Sequence, residues 1–407
     1  MNILKKNKHY NISEILLAII LITLPLGGYA INSSAVILFF LISLYIFIIS
    51  KQKMEFNKIS FLLIAFYSLC LLSLIWTDNV ENTKTGLIRF LSFLVLPLAF
   101  FFNSTKNFNT KKIIDLFSKA LVFFAAYCML FGAVNSVTNA DISFLFYHKL
   151  SGVLGDLNAI YLSVFVSLGV SFFLYKKEKS KMDIFCLTFL SFFLLLLSSK
   201  MIITITFITF IFYFFKKRKI KKINLKYVFI MLSISIVFLF ASSNISKRFK
   251  VEFEKTKINQ VLNKKEFGPV YLWTGLGLRV FQTKAFVEVL QEQKKVFLGF
   301  GLNNSQNALN NKYKEYKLYP GFLNYNYHNQ YIQVFAELGV IGLSLLLLIS
   351  FLILKNAIKH KDYFLLSFII LILVVCITES FLWRQRGMIF FITIILLCTQ
   401  KKKKYSI

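Results

Sequence analysis

The sequence holds four histidines, and one of them stands where it could move a proton. The run Tyr327-His328-Asn329-Gln330-Tyr331 leads straight into a long apolar segment, which sets the His328 imidazole at the N-terminal end of a membrane helix. The positive end of the helix dipole disfavours imidazolium there, leaving a neutral ring able to accept a proton or a hydrogen bond. The competing reading is an interfacial histidine that only caps the helix. His9 and His360 lie in Lys-rich segments and read as solvated residues, and His148, in the short 135–156 loop, has no acidic neighbour at useful spacing. Further along the same apolar segment, Glu337 falls ~13 Å down the helix from His328. A carboxylate at that depth is costly and faces the bundle interior with a partner, so holding a neighbouring helix competes with direct chemistry as its role.

Two turns could supply the positive charge a reaction needs. The apolar stretch 184–215 would be about 48 Å long as one helix, too long for a ~30 Å hydrocarbon core. Breaking it at Ser198-Ser199-Lys200 gives two short spans that meet at an outward turn, where Lys200 either lies in a cavity open to the outside or snorkels to the headgroups. Glu379 closes a later span, and Trp383-Arg384-Gln385-Arg386-Gly387 follows as a tight turn. Its two arginines either anchor the interface or, with Glu379 beside them, grip a phosphate, because a guanidinium donates in a fixed fork. No Walker loop occurs, and Gly299-Phe300-Gly301 lacks the third glycine and preceding strand of a dinucleotide fingerprint. No His-x-x-x-His or Asp-x-Asp lies on the outer side, so no metal ligand set and no cofactor are expected. Cys70, Cys128, Cys186, Cys376 and Cys398 all fall in apolar runs and suggest neither a disulfide framework nor a metal spacing.

The elements that must position these groups follow from composition. The chain is 57% hydrophobic and 16% charged, with a mean hydropathy of +0.66, which excludes an ordinary soluble enzyme. Apolar segments in lipid must be helices, because an open strand would leave backbone groups without partners. The fold class is therefore an all-α polytopic membrane protein. About twelve spans are expected, at 12–31, 34–50, 59–76, 86–102, 113–134, 157–175, 184–199, 201–215, 227–243, 331–354, 363–380 and 387–399. Much of the net charge of +30 sits in Lys-rich segments at 1–11, 51–58, 103–112, 176–183, 216–226, 355–362 and 401–407. By the positive-inside rule these are cytoplasmic, as are both termini, with the first helix kept as an uncleaved anchor. The charge is thereby accounted for without a nucleic-acid partner.

One connection, 244–330, lies outside by parity and is too long to be a mere linker. It divides the chain into helices 1–9 at 1–243, a large periplasmic loop subdomain at 244–330 and helices 10–12 at 331–407. Within the loop, 279–295 has the pattern of an amphipathic helix, with Gly299-Phe300-Gly301 as a stop, and 247–266 suggests a second, interfacial helix.

Together, His328-Asn329-Gln330-Tyr331, Phe335-Ala336-Glu337-Leu338-Gly339-Val340-Ile341-Gly342-Leu343, Arg279 opening a loop helix and the Gly299 to Gly301 turn resemble the O-antigen ligase and Wzy-type polymerase family. The resemblance runs over roughly 150–400 and is strongest at 279–343. It implies an inner-membrane glycosyltransferase with its active face in the periplasm. Such an enzyme moves a glycan from an undecaprenyl diphosphate carrier to an acceptor hydroxyl, on another repeat unit for a polymerase or on lipid A-core for a ligase, without a metal. By position His328 and Arg279 look like the family's catalytic residues. Lys200 replaces the arginine usual after the serine at its turn, keeping the charge and losing the bidentate fork. Glu379, Arg384 and Arg386 look like the family's late outer turn, and they join Lys200, Asn329 and Glu337 as candidate substrate-binding residues. The rival from another class is a flippase of lipid-linked oligosaccharide, which calls for charges along a cavity open to both sides. A third reading is a structural or sensory protein whose basic loop binds anionic polymers.

Overall fold

A computed structural model describes residues 2–50, 57–103, 108–155, 157–217 and 254–400, with side chains from residue 12 onward and excluding 216–217. The expected span 227–243 and the first part of 247–266 lie outside the described residues. Every regular element among the described residues is helical. In chain order the helices are α1 (Asn2–Ile22), α2 (Ala30–Ser50), α3 (Lys58–Leu72), α4 (Val80–Phe90), α5 (Ser92–Phe102), α6 (Thr110–Thr138), α7 (Tyr147–Gly152), α8 (Ala159–Tyr175), α9 (Lys181–Leu196), α10 (Lys200–Lys217), α11 (Ile258–Asn263), α12 (Gly275–Gln293), α13 (Ser305–Glu315), α14 (Gln330–His360), α15 (Tyr363–Thr378) and α16 (Gln385–Thr399). Among the described residues, five segments are long and apolar enough to cross a membrane: Ala30–Ser50, Lys58–Ile75, Val80–Phe102, Thr110–Thr138 and Gln330–His360. Shorter apolar helices pack among them, including Ala159–Tyr175, Lys200–Phe215, Tyr363–Thr378 and Gln385–Thr399.

Several boundaries differ from the sequence reading. The first span was drawn to residue 31, but α1 stops at Ile22, because Pro25, Gly27 and Gly28 cannot continue a helix cheaply. Asn32 closes that corner by donating to Ile20 O (2.7 Å) and Thr23 Oγ1 (2.8 Å). The loop expected at 77–85 is mostly helix, since Asn79 caps α4 by accepting from Asn82 N at 3.0 Å. The break between α9 and α10 falls where the length argument put it: Ser198 is left-handed (φ 53°) and α10 starts at Lys200.

Connections on the Lys-rich side share one end of the bundle. Asn57 Nδ2 donates to Thr399 O (3.3 Å), Phe108 N to Gln400 Oε1 (3.3 Å), and Lys176 pairs with Asp183 (2.6 Å) and Asp115 (3.4 Å). The turn before α4, the Ser198 break, the turn after α15 and the folded segment 254–329 gather at the other end, linked by the contacts described below. That segment has its own core of Val261, Phe267, Phe281, Leu309 and Tyr313, separate from the bundle core. Its main helix α12 begins at Gly275, capped by the Thr274 hydroxyl, so Arg279 lies one turn inside it instead of opening it. Of the expected interfacial helix 247–266, the described part forms only α11 as a full helical element.

The Gly299-Phe300-Gly301 turn does more than stop α12, which already ends at Gln293 with Lys294 left-handed. It docks against a break in α14. Gly339 interrupts the helix (φ 63°, ψ −164°), and the freed backbone bonds to the loop: Phe300 N to Ala336 O, Gly301 N to Glu337 O and Val340 N to Val296 O, each 2.9 Å. A Cβ at Gly299 would strike the Ala336 and Glu337 carbonyls, and one at Gly339 the Phe297 carbonyl. Two motifs that look independent in the sequence are the two halves of one joint.

Candidate functional site

His328 is presented by a local turn. Asn326 Oδ1 accepts from His328 N (2.9 Å), and the residue takes a left-handed backbone (φ 45°). Asn329 then caps α14 by accepting from Tyr331 N (3.0 Å) and Ile332 N (3.2 Å). The cap is therefore Asn329, and the imidazole is free of that duty. Its Nδ1 faces Glu379 Oε2 at 3.4 Å, with the Tyr325 ring edge-on at 5.8 Å. What faces the ring is a carboxylate. In the tautomer that carries its proton on Nδ1, directed at Glu379, Nε2 is the acceptor.

The same place is tied down from two further sides. Arg279 Nε donates to Thr378 O (2.7 Å), the last residue of α15, and its Nη1 to Gly275 O (2.9 Å), so the guanidinium satisfies an orphan carbonyl one residue before Glu379. Gln282, fully buried on α12, donates to Asn326 O (2.7 Å) and Tyr313 Oη (2.9 Å), which fixes the turn that carries His328. Gln330 Oε1 accepts from Leu382 N (2.7 Å), joining the start of α14 to the turn after Glu379. His328, Arg279 and Glu379, distant in sequence, meet where the loop subdomain joins the bundle.

The loop core that supports this carries a charged network. Burial pulls Lys312 down, but hydrogen bonds to Glu292 (2.5 Å) and Glu315 (2.8 Å) outweigh it and hold the ammonium above the usual lysine value. Burial, and then a hydrogen bond to Glu288 (2.7 Å), pushes the Tyr316 hydroxyl up to about 12.

Other expected residues have different duties. Glu337 is 1% exposed, and its oxygens accept from Ser305 Oγ (2.7 Å), Gln333 Nε2 (3.0 Å) and Asn303 N. It anchors the N-terminus of α13 to α14, a structural duty. Asn329 spends its side-chain oxygen on the cap of α14. Arg386 is buried, donating to Leu26 O (2.8 Å) and stacked on the Tyr29 ring (4.8 Å), which clamps the α1–α2 corner to α16. His148 Nδ1 accepts from Ala159 N (3.3 Å) at the start of α8.

Lys200 begins α10. Thr206 meets Ser167 (2.7 Å) and Tyr213 meets Tyr175 (5.5 Å), so that helix runs parallel to α8, while Phe212 beside Tyr363 (5.9 Å) makes it antiparallel to α15, and Lys200 therefore lies at the Glu379 end. Arg384 is exposed at the start of α16. Sequence reasoning passed over Arg89. Its guanidinium lies over the Trp383 ring (5.0 Å), and Nη1 reaches Asn303 Oδ1 (3.5 Å). A signal existed, since a guanidinium inside an apolar run is expensive and by default functional. Gln282 had a weaker one, a polar residue on the apolar face of an amphipathic helix.

Fold and site define a helical membrane protein whose candidate functional groups gather at one end of its bundle. Residues 184–347 match the family model described as O-antigen ligase, a stretch that includes Lys200, Arg279, His328 and Glu337, while Glu379, Arg384 and Arg386 lie beyond it. The match is a likeness to that family over 164 of the 407 residues. No curated protein matches the chain significantly.

Proposed function

We propose that the protein transfers a glycan from an undecaprenyl diphosphate carrier to an acceptor sugar hydroxyl at the periplasmic face of the inner membrane. The observation that carries this reading is the His328–Glu379 pair at 3.4 Å, set at the joint between bundle and loop. Glu379 holds the ring with Nε2 as the acceptor. The acceptor hydroxyl gives its proton to Nε2 as its oxygen forms a bond to the anomeric carbon. The bond from that carbon to the diphosphate breaks, the electron pair stays on the departing oxygen, and the anomeric configuration inverts. A diphosphate is already a good leaving group, so the barrier falls mainly through alignment of the hydroxyl and neutralisation of charge on the departing group, with base catalysis adding ~10²–10⁴-fold. Arg279 fixes the loop against α15, and Lys200 and Arg384 supply charge at the same end.

The test is transfer by the purified protein in detergent, with lipid-linked glycan and acceptor and no vesicle present, where flipping has no meaning. Joined product is expected from the wild type and none from His328→Ala. Near-normal product from that variant, or none from the wild type, overturns the proposal. Lipid A-core against a repeat unit as acceptor then separates ligase from polymerase.

A further inference from the structure

One turn of the loop subdomain, Val296-Phe297-Leu298, is apolar and open, with Phe297 73% exposed. Hydrogen bonds hold it to two helices long and apolar enough to cross a membrane. Val340 N on α14 donates to Val296 O (2.9 Å), and Trp76 Nε1, at the end of the α3 span, donates to Leu298 O (3.0 Å). The backbone of Gly339 lies against the Phe297 carbonyl, where a Cβ would collide with it. The turn therefore shares the level of Gly339 and Trp76 along the bundle.

That level can be measured from the Lys-rich end. Lys58 opens α3 beside Leu348 and Leu352 of α14, and Lys355 is the first charge in α14 after Glu337. From Lys58 to Trp76 a helix rises ~27 Å, and from Lys355 back to Gly339 ~24 Å, against a hydrocarbon core of ~30 Å. Tilt only shortens these rises across the bilayer. The turn thus reaches no further than the outer edge of the hydrocarbon, and Trp76 has the place of an interfacial aromatic.

The surface around the turn has the same character. Leu72 and Ile75, one helical turn apart on α3, and Ile341 on α14 are exposed and continue the apolar surface from Phe297 and Leu298, with Ile75 79% exposed. Charge begins on the other side, where Lys295 is ion-paired with Asp78, two residues past Trp76.

We propose that the 296–298 turn inserts into the bilayer and packs against phospholipid acyl chains just under the headgroups, as an interfacial anchor for the loop subdomain. The partner is lipid because the apolar surface is continuous with the faces of helices that meet acyl chains. Lipid over the turn also shields the joint between Gly299 and Gly339 from water, which strengthens its backbone hydrogen bonds.

The test uses the full-length protein in nanodiscs, with its five native cysteines changed to serine and one cysteine at a time introduced and labelled with bimane. Phe297→Cys is expected to lose most of its emission when the lipids carry a doxyl group near the top of the acyl chain, and to resist iodide in the water. Lys317→Cys, at an exposed position ion-paired with Glu266, is expected to respond the opposite way. A label at Phe297→Cys that iodide quenches and doxyl lipid does not overturns the inference. So does one that neither quenches, which means that protein, from this chain or a second copy, covers the turn. If the substituted protein does not accumulate, the unaltered protein is irradiated in phospholipid bearing a diazirine at the same depth, and the adducts are mapped. Adducts on Phe297 and Leu298 as well as on Leu72 and Ile75 are expected; adducts on α3 with none on the turn overturn the inference. Neither readout involves glycan transfer, so this inference and that reading fail separately.

Discussion

At the scale of single residues, burial and hydrogen bonding sort the candidates more sharply than side-chain type does. Glu379 and Glu337 are both buried carboxylates, yet Glu337 accepts from three donors of the protein itself, whereas Glu379 faces the one histidine of the site. Glu379→Gln keeps the volume and removes the charge that orients the ring. It is expected to lower kcat by about 10- to 100-fold with little change in either KM, less than the ~10²–10⁴-fold of removing a base outright. Asn329→Ala is the contrast. It removes a helix cap and should cost about 1 kcal/mol of stability while leaving kcat near normal. Thermal unfolding and steady-state kinetics on the two variants separate orientation from capping, and equal kinetic losses in both would remove the special role given to Glu379. The sequence made His328 and Glu379 visible as types and positions. It gave no means to see that they pair, because their contact spans the whole of α14 and α15.

Elements show the same division between local and long-range information. Periodicity and length located the break before Lys200 and the amphipathic helix in the loop, both of which follow from the ~1.5 Å rise per residue and the placement of apolar side chains. The joint between Gly299 and Gly339 was invisible, since each glycine alone looks like a turn or an ordinary helix residue. Gly339→Ala is expected to unseat the loop. Its backbone (φ 63°, ψ −164°) lies in a region essentially reserved for glycine, which costs about 1–3 kcal/mol with a Cβ, and the collision with the Phe297 carbonyl adds to it. Protease sensitivity should rise between α12 and α13 while the bundle still inserts, and a loop as resistant as in the wild type would show that the joint does not hold it. The Lys312 and Tyr316 network gives the loop a pH dependence of definite sign. Both groups bind protons more tightly folded than unfolded, so their stabilisation is complete below the ordinary tyrosine value of 10.0 and is lost as pH rises through about 12 for Tyr316 and higher for Lys312. Denaturant midpoints read from tryptophan emission should be flat from pH 6 to 9 by this contribution and fall between about 10 and 12. Tyr316→Phe should lessen that fall, and an unchanged profile in this variant would exclude the tyrosine as its source.

At the scale of the molecule, composition alone compels a helical bundle, and charge counting divides its connections into two sets. The structure gives that division a physical form. The Lys-rich connections near Asn57, Phe108 and Lys176 meet at one end, while the loop subdomain, Lys200 and the Glu379 turn meet at the other. A helix count of twelve is a weaker statement than this two-ended arrangement, because several apolar helices here have 17 residues or fewer and pack inside the bundle rather than each crossing with full length. The arrangement makes a topological prediction that does not depend on the count. Asn324, exposed on the loop, and Lys359, exposed near the end of α14, lie at opposite ends of the molecule if the positive-inside rule applies to this chain. In a background with the five native cysteines changed to serine, Asn324→Cys should react in intact spheroplasts with a maleimide that cannot cross membranes. Lys359→Cys should react only after the cells are opened. The reverse pattern would put the His328–Glu379 pair and the guanidiniums beside it in the cytoplasm, where a glycan already carried to the outer leaflet on its lipid cannot reach them. Glycan transfer at the periplasmic face therefore stands or falls with the side on which that single loop cysteine reacts.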